Sequence, residues 1–95
     1  FENTTNQALY RLAEVFVLLE MHTDARRSLD RLGEFETQLM SPLYEARYLL
    51  LKGRFILGLD PLKGSEVLGD AYRLFAAHGY PGYTAQVQEL TSTTP

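Results

Sequence analysis

The chain of 95 residues contains no cysteine, so disulfide bonds and thiolate metal sites are excluded. This composition fits a reducing compartment, and we expect a cytoplasmic protein. Basic residues are also few, since nine Lys and Arg stand against twelve Asp and Glu, and the formal net charge is −3. Nucleic-acid surfaces normally need a basic patch, so we expect no direct nucleic-acid partner. Every apolar run is far shorter than the roughly 20 residues of a membrane helix, and we expect no membrane partner.

The sequence lacks the residue patterns that carry out catalysis. Neither His22 nor His78 has a second histidine or a carboxylate at ligand spacing on the same predicted helix. There is no nucleophile elbow and no glycine-rich phosphate loop. A helical-bundle enzyme would need inward carboxylates and histidines in a Glu-x-x-His arrangement, and that arrangement is absent from the sequence. We therefore predict a protein that is not an enzyme and that has neither cofactor nor metal.

The chain does contain apolar residues at the spacing of helix faces, and no stretch alternates as a half-buried strand does. This pattern predicts five helices, over residues 6–20, 24–38, 42–59, 61–78 and 83–90. Ser41-Pro42 and Asp60-Pro61 each place a capping residue directly before a proline, which is a typical helix start. Gly79 is typical of a helix end. The sequence therefore predicts an all-α protein.

The predicted helix over 42–59 has apolar residues on two opposite faces. A surface helix normally has one apolar stripe, so we expect this helix to be covered on both sides. One face comprises Tyr44, Tyr48, Leu51 and Phe55, and the other comprises Leu43, Ala46, Leu49, Leu50, Gly53, Ile56 and Leu57. The predicted buried face of the first helix comprises Leu9, Leu12, Ala13, Phe16 and Leu19. Gly64 and Gly69 lie inside the fourth helix, where we expect them to permit close approach of a neighbouring helix.

The chain repeats at an offset of about 39 residues. The first helices align as Leu9 with Tyr48, Leu12 with Leu51 and Phe16 with Phe55, and the second helices as Ala25 with Gly64, Leu29 with Leu68 and Leu32 with Ala71. This pattern resembles the tetratricopeptide repeat, and it is similar to the looser repeats of bacterial multidomain transcriptional and signalling regulators. Two departures are that Lys52 stands where a small residue is usual and that Leu32 stands where alanine is usual.

The resemblance implies a fold of stacked antiparallel helical hairpins, with about two repeats and a C-terminal capping helix over residues 6–90. Residues 1–5 are then expected to be a flexible lead-in, and residues 91–95 a disordered tail. The chain begins at Phe1 rather than Met. We expect it to be part of a larger regulatory or signalling protein.

The resemblance also implies a binding surface, because in that family the ligand lies on the concave side lined by the first helix of each unit. The residues carried over as partner-binding are Tyr10, Glu14, Val17, Leu49 and Ile56. The partner would be a protein or peptide, such as an amphipathic helix or another domain of the same protein. Two alternatives stay open, a homodimer formed by the same surface and a ligand-sensing domain of a transcriptional regulator. The competing interpretation is that these residues pack inside the chain.

Overall fold

The structure, a computed structural model, describes residues 2–39 and 42–92, with side-chain environments for residues 8–34 and 42–92. Every regular element in these ranges is an α-helix, which confirms the all-α prediction. The helices are α1 (Glu2–Leu18), α2 (His22–Leu39), α3 (Pro42–Leu57), α4 (Pro61–Ala77) and α5 (Pro81–Ser92). Helix α1 begins before the predicted residue 6, and α5 extends beyond the predicted 83–90 at both ends. Residue 1 of the predicted lead-in and residues 93–95 of the predicted tail lie outside the described residues.

The chain divides into two compact units, which are residues 1–40 and 41–95. In unit 1, α1 packs against α2. In unit 2, α4 packs against both α3 and α5. The expectation of one continuous domain over 6–90 stays a prediction.

Two glycines set the packing of α3 on α4. A Cβ built on Gly64 would lie 2.4 Å from the Leu57 Cα, and a Cβ built on Gly53 would lie 2.8 Å from the Leu68 side chain. From the first contact to the second, the residue number falls from 57 to 53 in α3 and rises from 64 to 68 in α4. The two helices are therefore antiparallel. Each glycine thus makes room for a leucine of the other helix, and the expectation of close approach at Gly64 is confirmed.

The same register continues along the hairpin with alternating large and small side chains. It places Leu50 opposite Ala71 and Ala46 opposite Phe75, and all four are buried in one cluster. Four successive layers therefore pair one large side chain with one small residue. Such interdigitation fills the space between helices at the density of a protein interior.

Helix α4 has both of the ends that the sequence predicts. The Asp60 side chain accepts a hydrogen bond from the Lys63 backbone N–H at 3.2 Å, and a proline occupies the first turn. At the other end Gly79 has a φ of +77°. The Tyr80 N–H there donates to the Phe75 carbonyl at 2.9 Å. This is the Schellman arrangement, in which a glycine supplies the left-handed residue at no steric cost.

Aromatic rings attach α5 to α4. The Tyr83 ring stacks on the Phe75 ring, with centroids 4.6 Å apart and planes 9° apart. The Tyr80 ring meets the Phe75 ring edge-on at 6.4 Å. Val87, one helical turn further, is buried in the same cluster. Helix α4 is consequently the middle helix of unit 2.

The α1–α2 connection of unit 1 uses the same Schellman arrangement with a different residue. Glu20 has a φ of +57°. Its N–H donates to the Val17 carbonyl at 3.1 Å, and the Met21 N–H donates to the Phe16 carbonyl at 2.9 Å. A left-handed conformation costs a residue with a Cβ about 1–2 kcal/mol. The α1–α2 connection therefore contains a strained left-handed residue, Glu20, whereas the left-handed residue after α4 is a glycine.

Burial in unit 1 revises the alignment of the two repeats. In the second helices the offset of 39 agrees with burial, because Ala25, Leu29 and Leu32 are buried like Gly64, Leu68 and Ala71. In the first helices an offset of 40 agrees better, because it aligns Tyr10, Ala13 and Val17 with Leu50, Gly53 and Leu57. The small residue missing at Lys52 is therefore supplied by Gly53. The two connections are equally long, at residues 19–21 and 58–60, and they differ in that Glu20 adopts the left-handed conformation.

The one-residue difference between these two offsets corresponds to an error in the predicted buried face of α1. Leu12 and Leu19, both predicted to be buried, are 49% and 65% exposed. A shift of one residue rotates the packed face of a helix by about 100°. A second correction concerns Gly69, where an added Cβ would meet nothing within 4 Å. Gly69 therefore does not permit a close approach.

Candidate interaction surface

The three predicted anchors in α1 lie on or beside the packed face of that helix. Tyr10 is only 6% exposed, and Val17 is half-buried two helical turns further along the same face. Glu14 is half-buried at the edge of this face. A side chain as covered as Tyr10 offers little surface to a partner. The role of these three residues in binding stays a prediction.

The two predicted anchors in α3 belong to unit 2, and both are half-buried. Leu49 packs against the buried cluster of that unit. The Ile56 carbonyl accepts the N–H groups of Leu59 and Asp60 at the end of α3. Their separation of seven residues places Leu49 and Ile56 on one face of the helix. Their role in binding also stays a prediction.

Exposed aliphatic side chains form a row on the opposite side of α1, here called the α1 row. Its members are Leu12, Val15 and Leu19, which are 47% to 65% exposed, and Leu19 directly follows the last residue of α1. Leu12, Val15 and Leu19 follow the three- and four-residue spacing of a single helix face. At about 100° per residue, this face lies nearly opposite the buried Tyr10 and Ala13.

Sequence reasoning missed the α1 row because it assigned Leu12 and Leu19 to the core. The signal that could have found it is the uninterrupted apolar stretch of residues 15–19, which covers more than one side of a helix. A helix that packs against one neighbour needs only one apolar stripe. The exposed apolar side of α1 can therefore be identified from the sequence once the side that packs against α2 is known.

One charged residue borders the α1 row. Arg11 is exposed beside Leu18 on one edge of the row, whereas Glu14 lies further round, at the edge of the packed face. Within the described part of the chain, neither Arg11 nor Glu14 has an ion pair. Arg11 therefore supplies a positive charge at the boundary of the apolar surface.

Unit 2 offers a smaller and more polar surface. A cleft of about 270 Å³ is lined by Arg54 from α3 and by Gln86, Glu89 and Leu90 from α5. The three polar side chains are exposed, so the cleft is open to solvent. Its shape and polarity do not define a particular ligand.

The face of α3 that carries Tyr44, Tyr48, Leu51 and Phe55 contains a buried hydroxyl group. Leu51 on this face is 2% exposed, whereas Tyr44 is half-buried with its hydroxyl oxygen covered. That hydroxyl has no hydrogen-bond partner among the described residues. Burial raises the pKa of the Tyr44 phenol above its ordinary value, and the positive charge of Arg47 opposes this rise.

The histidines lie in different units. His22 is the first residue of α2, and His78 caps the C-terminus of α4. In the ranges that the structure describes, no three histidine, cysteine, aspartate or glutamate side chains come together as a metal site would require. The described helices also include none that combines the length and the apolar character needed to cross a membrane.

Comparisons of the chain with protein-family models, with curated proteins and with solved structures match nothing.

Proposed function

We propose that this chain is a non-enzymatic protein-interaction module, built of tetratricopeptide-like hairpins and belonging to a larger regulatory or signalling protein. The observation that carries the proposal is the α1 row. Its three aliphatic side chains are about half exposed or more, and their spacing places them on the side of α1 opposite the buried Tyr10 and Ala13. Clustered apolar side chains on a surface mark contact sites far more often than isolated ones do.

The energetics favour a partner with an apolar face of its own. Complete burial of a leucine or valine side chain contributes about 1.5–3 kcal/mol, so a half-exposed side chain retains part of that energy for a binding partner. A few central aliphatic or aromatic residues usually dominate such interfaces. Val15 is the middle residue of the α1 row and Leu12 lies one turn before it, and we assign both residues this role. Leu49 and Ile56 remain secondary contacts in the same proposal.

Site-specific photo-crosslinking tests the proposal. A photoreactive phenylalanine analogue replaces Val15 in the full chain, which is then irradiated in an extract of the source cells. We expect a protein adduct that Leu12→Glu abolishes. The matched control is Leu62→Glu, because Leu62 is 78% exposed and lies in α4, outside the α1 row. This control should leave the adduct intact.

Two results would contradict the proposal. One is the absence of any adduct at position 15. The other is an adduct that Leu12→Glu and Leu62→Glu reduce equally, which would indicate general stickiness rather than a defined surface. Circular dichroism of each variant shows that the helices are retained, which is expected because Leu12 and Leu62 are both exposed.

A further inference from the structure

We draw no further inference here: the strongest candidate, the exposed apolar surface patch formed by the α1 row, belongs to the site already described, and nothing in the described part of the structure shows what covers it.

Discussion

An alanine in place of Gly64 should destabilise unit 2, whereas an alanine in place of Gly69 should stabilise it. Both glycines lie inside α4, so each substitution brings the same gain in helix propensity, about 0.5–1 kcal/mol. The two sites differ in what the new Cβ meets. At Gly64 it would lie 2.4 Å from the Leu57 Cα and 2.5 Å from the Leu57 nitrogen, whereas at Gly69 it would meet nothing within 4 Å.

The cost at Gly64 follows from those two distances. Carbon atoms prefer separations of about 3.5–4.0 Å, so α3 and α4 would have to move apart by roughly 1 Å. Backbone atoms of Leu57 cannot move aside as a flexible side chain can. Overpacking of this kind costs about 1–3 kcal/mol, and a gap of 0.5–1 Å loses a quarter to a half of each neighbouring contact. After the gain in helix propensity, we expect a net loss of about 2 kcal/mol.

Urea unfolding followed by circular dichroism and by tyrosine fluorescence measures the difference. Tyrosine fluorescence reports chiefly on unit 2, which contains five of the six tyrosines. With a slope of about 1–1.5 kcal/mol per molar urea, the two variants should differ in midpoint by roughly 2 M. If the two variants were equally stable, the register of Gly64 against Leu57 would be wrong. If Gly69→Ala were destabilising, the reasoning from helix propensity would be refuted.

Four further substitutions have defined expected outcomes. Glu20→Gly should raise the free energy of unfolding by about 0.5–1 kcal/mol, because glycine relieves the left-handed strain. Glu66→Gly, in the exposed middle of α4, should instead lower it by about 1 kcal/mol. Urea titration of both variants checks the sign of each change. Asp60→Ala should cost about 1 kcal/mol, measured as a lower thermal midpoint, because the Lys63 N–H loses its acceptor. Tyr44→Phe should stabilise the chain at neutral pH by removing a covered hydroxyl without a described partner. Because the pKa of Tyr44 is raised in the folded state, the wild type should also lose stability as the pH rises through about 10. The stability advantage of Tyr44→Phe over the wild type should therefore be larger at pH 11 than at pH 8, as measured by urea titration at both values.

The sequence predicted the helices well because their ends carry local signals. Asp60 before a proline and Gly79 after the last turn of α4 act through hydrogen bonds to residues three to five positions away. Such contacts depend only on neighbouring sequence. The left-handed conformation of Glu20 was not predictable in this way, because its signal is normally a glycine. It depends on how α2 returns to α1.

The candidate surface was harder to predict because it depends on which side of α1 faces α2. An alignment of the repeats at a single offset takes the two hairpins to pack with the same faces. The packed face of α1 differs by one residue from that alignment, and Leu12, an expected core residue, is exposed. Spacing identifies the faces of a helix, but the choice between them is made by packing between elements. The tetratricopeptide-like stacking and the five anchors at Tyr10, Glu14, Val17, Leu49 and Ile56 stay predictions.

The alternation of large and small residues between α3 and α4 also restricts how that hairpin can move. Sliding α4 by one turn in one direction would place Gly53 opposite Gly64 and open a hole. Sliding it by one turn the other way would drive Leu50 against Phe75. Helices in many proteins respond to ligands by such shear, but only where neighbouring registers have similar energies. The α3–α4 hairpin has a single favourable register, so a force applied at one end should be transmitted as motion of a rigid lever.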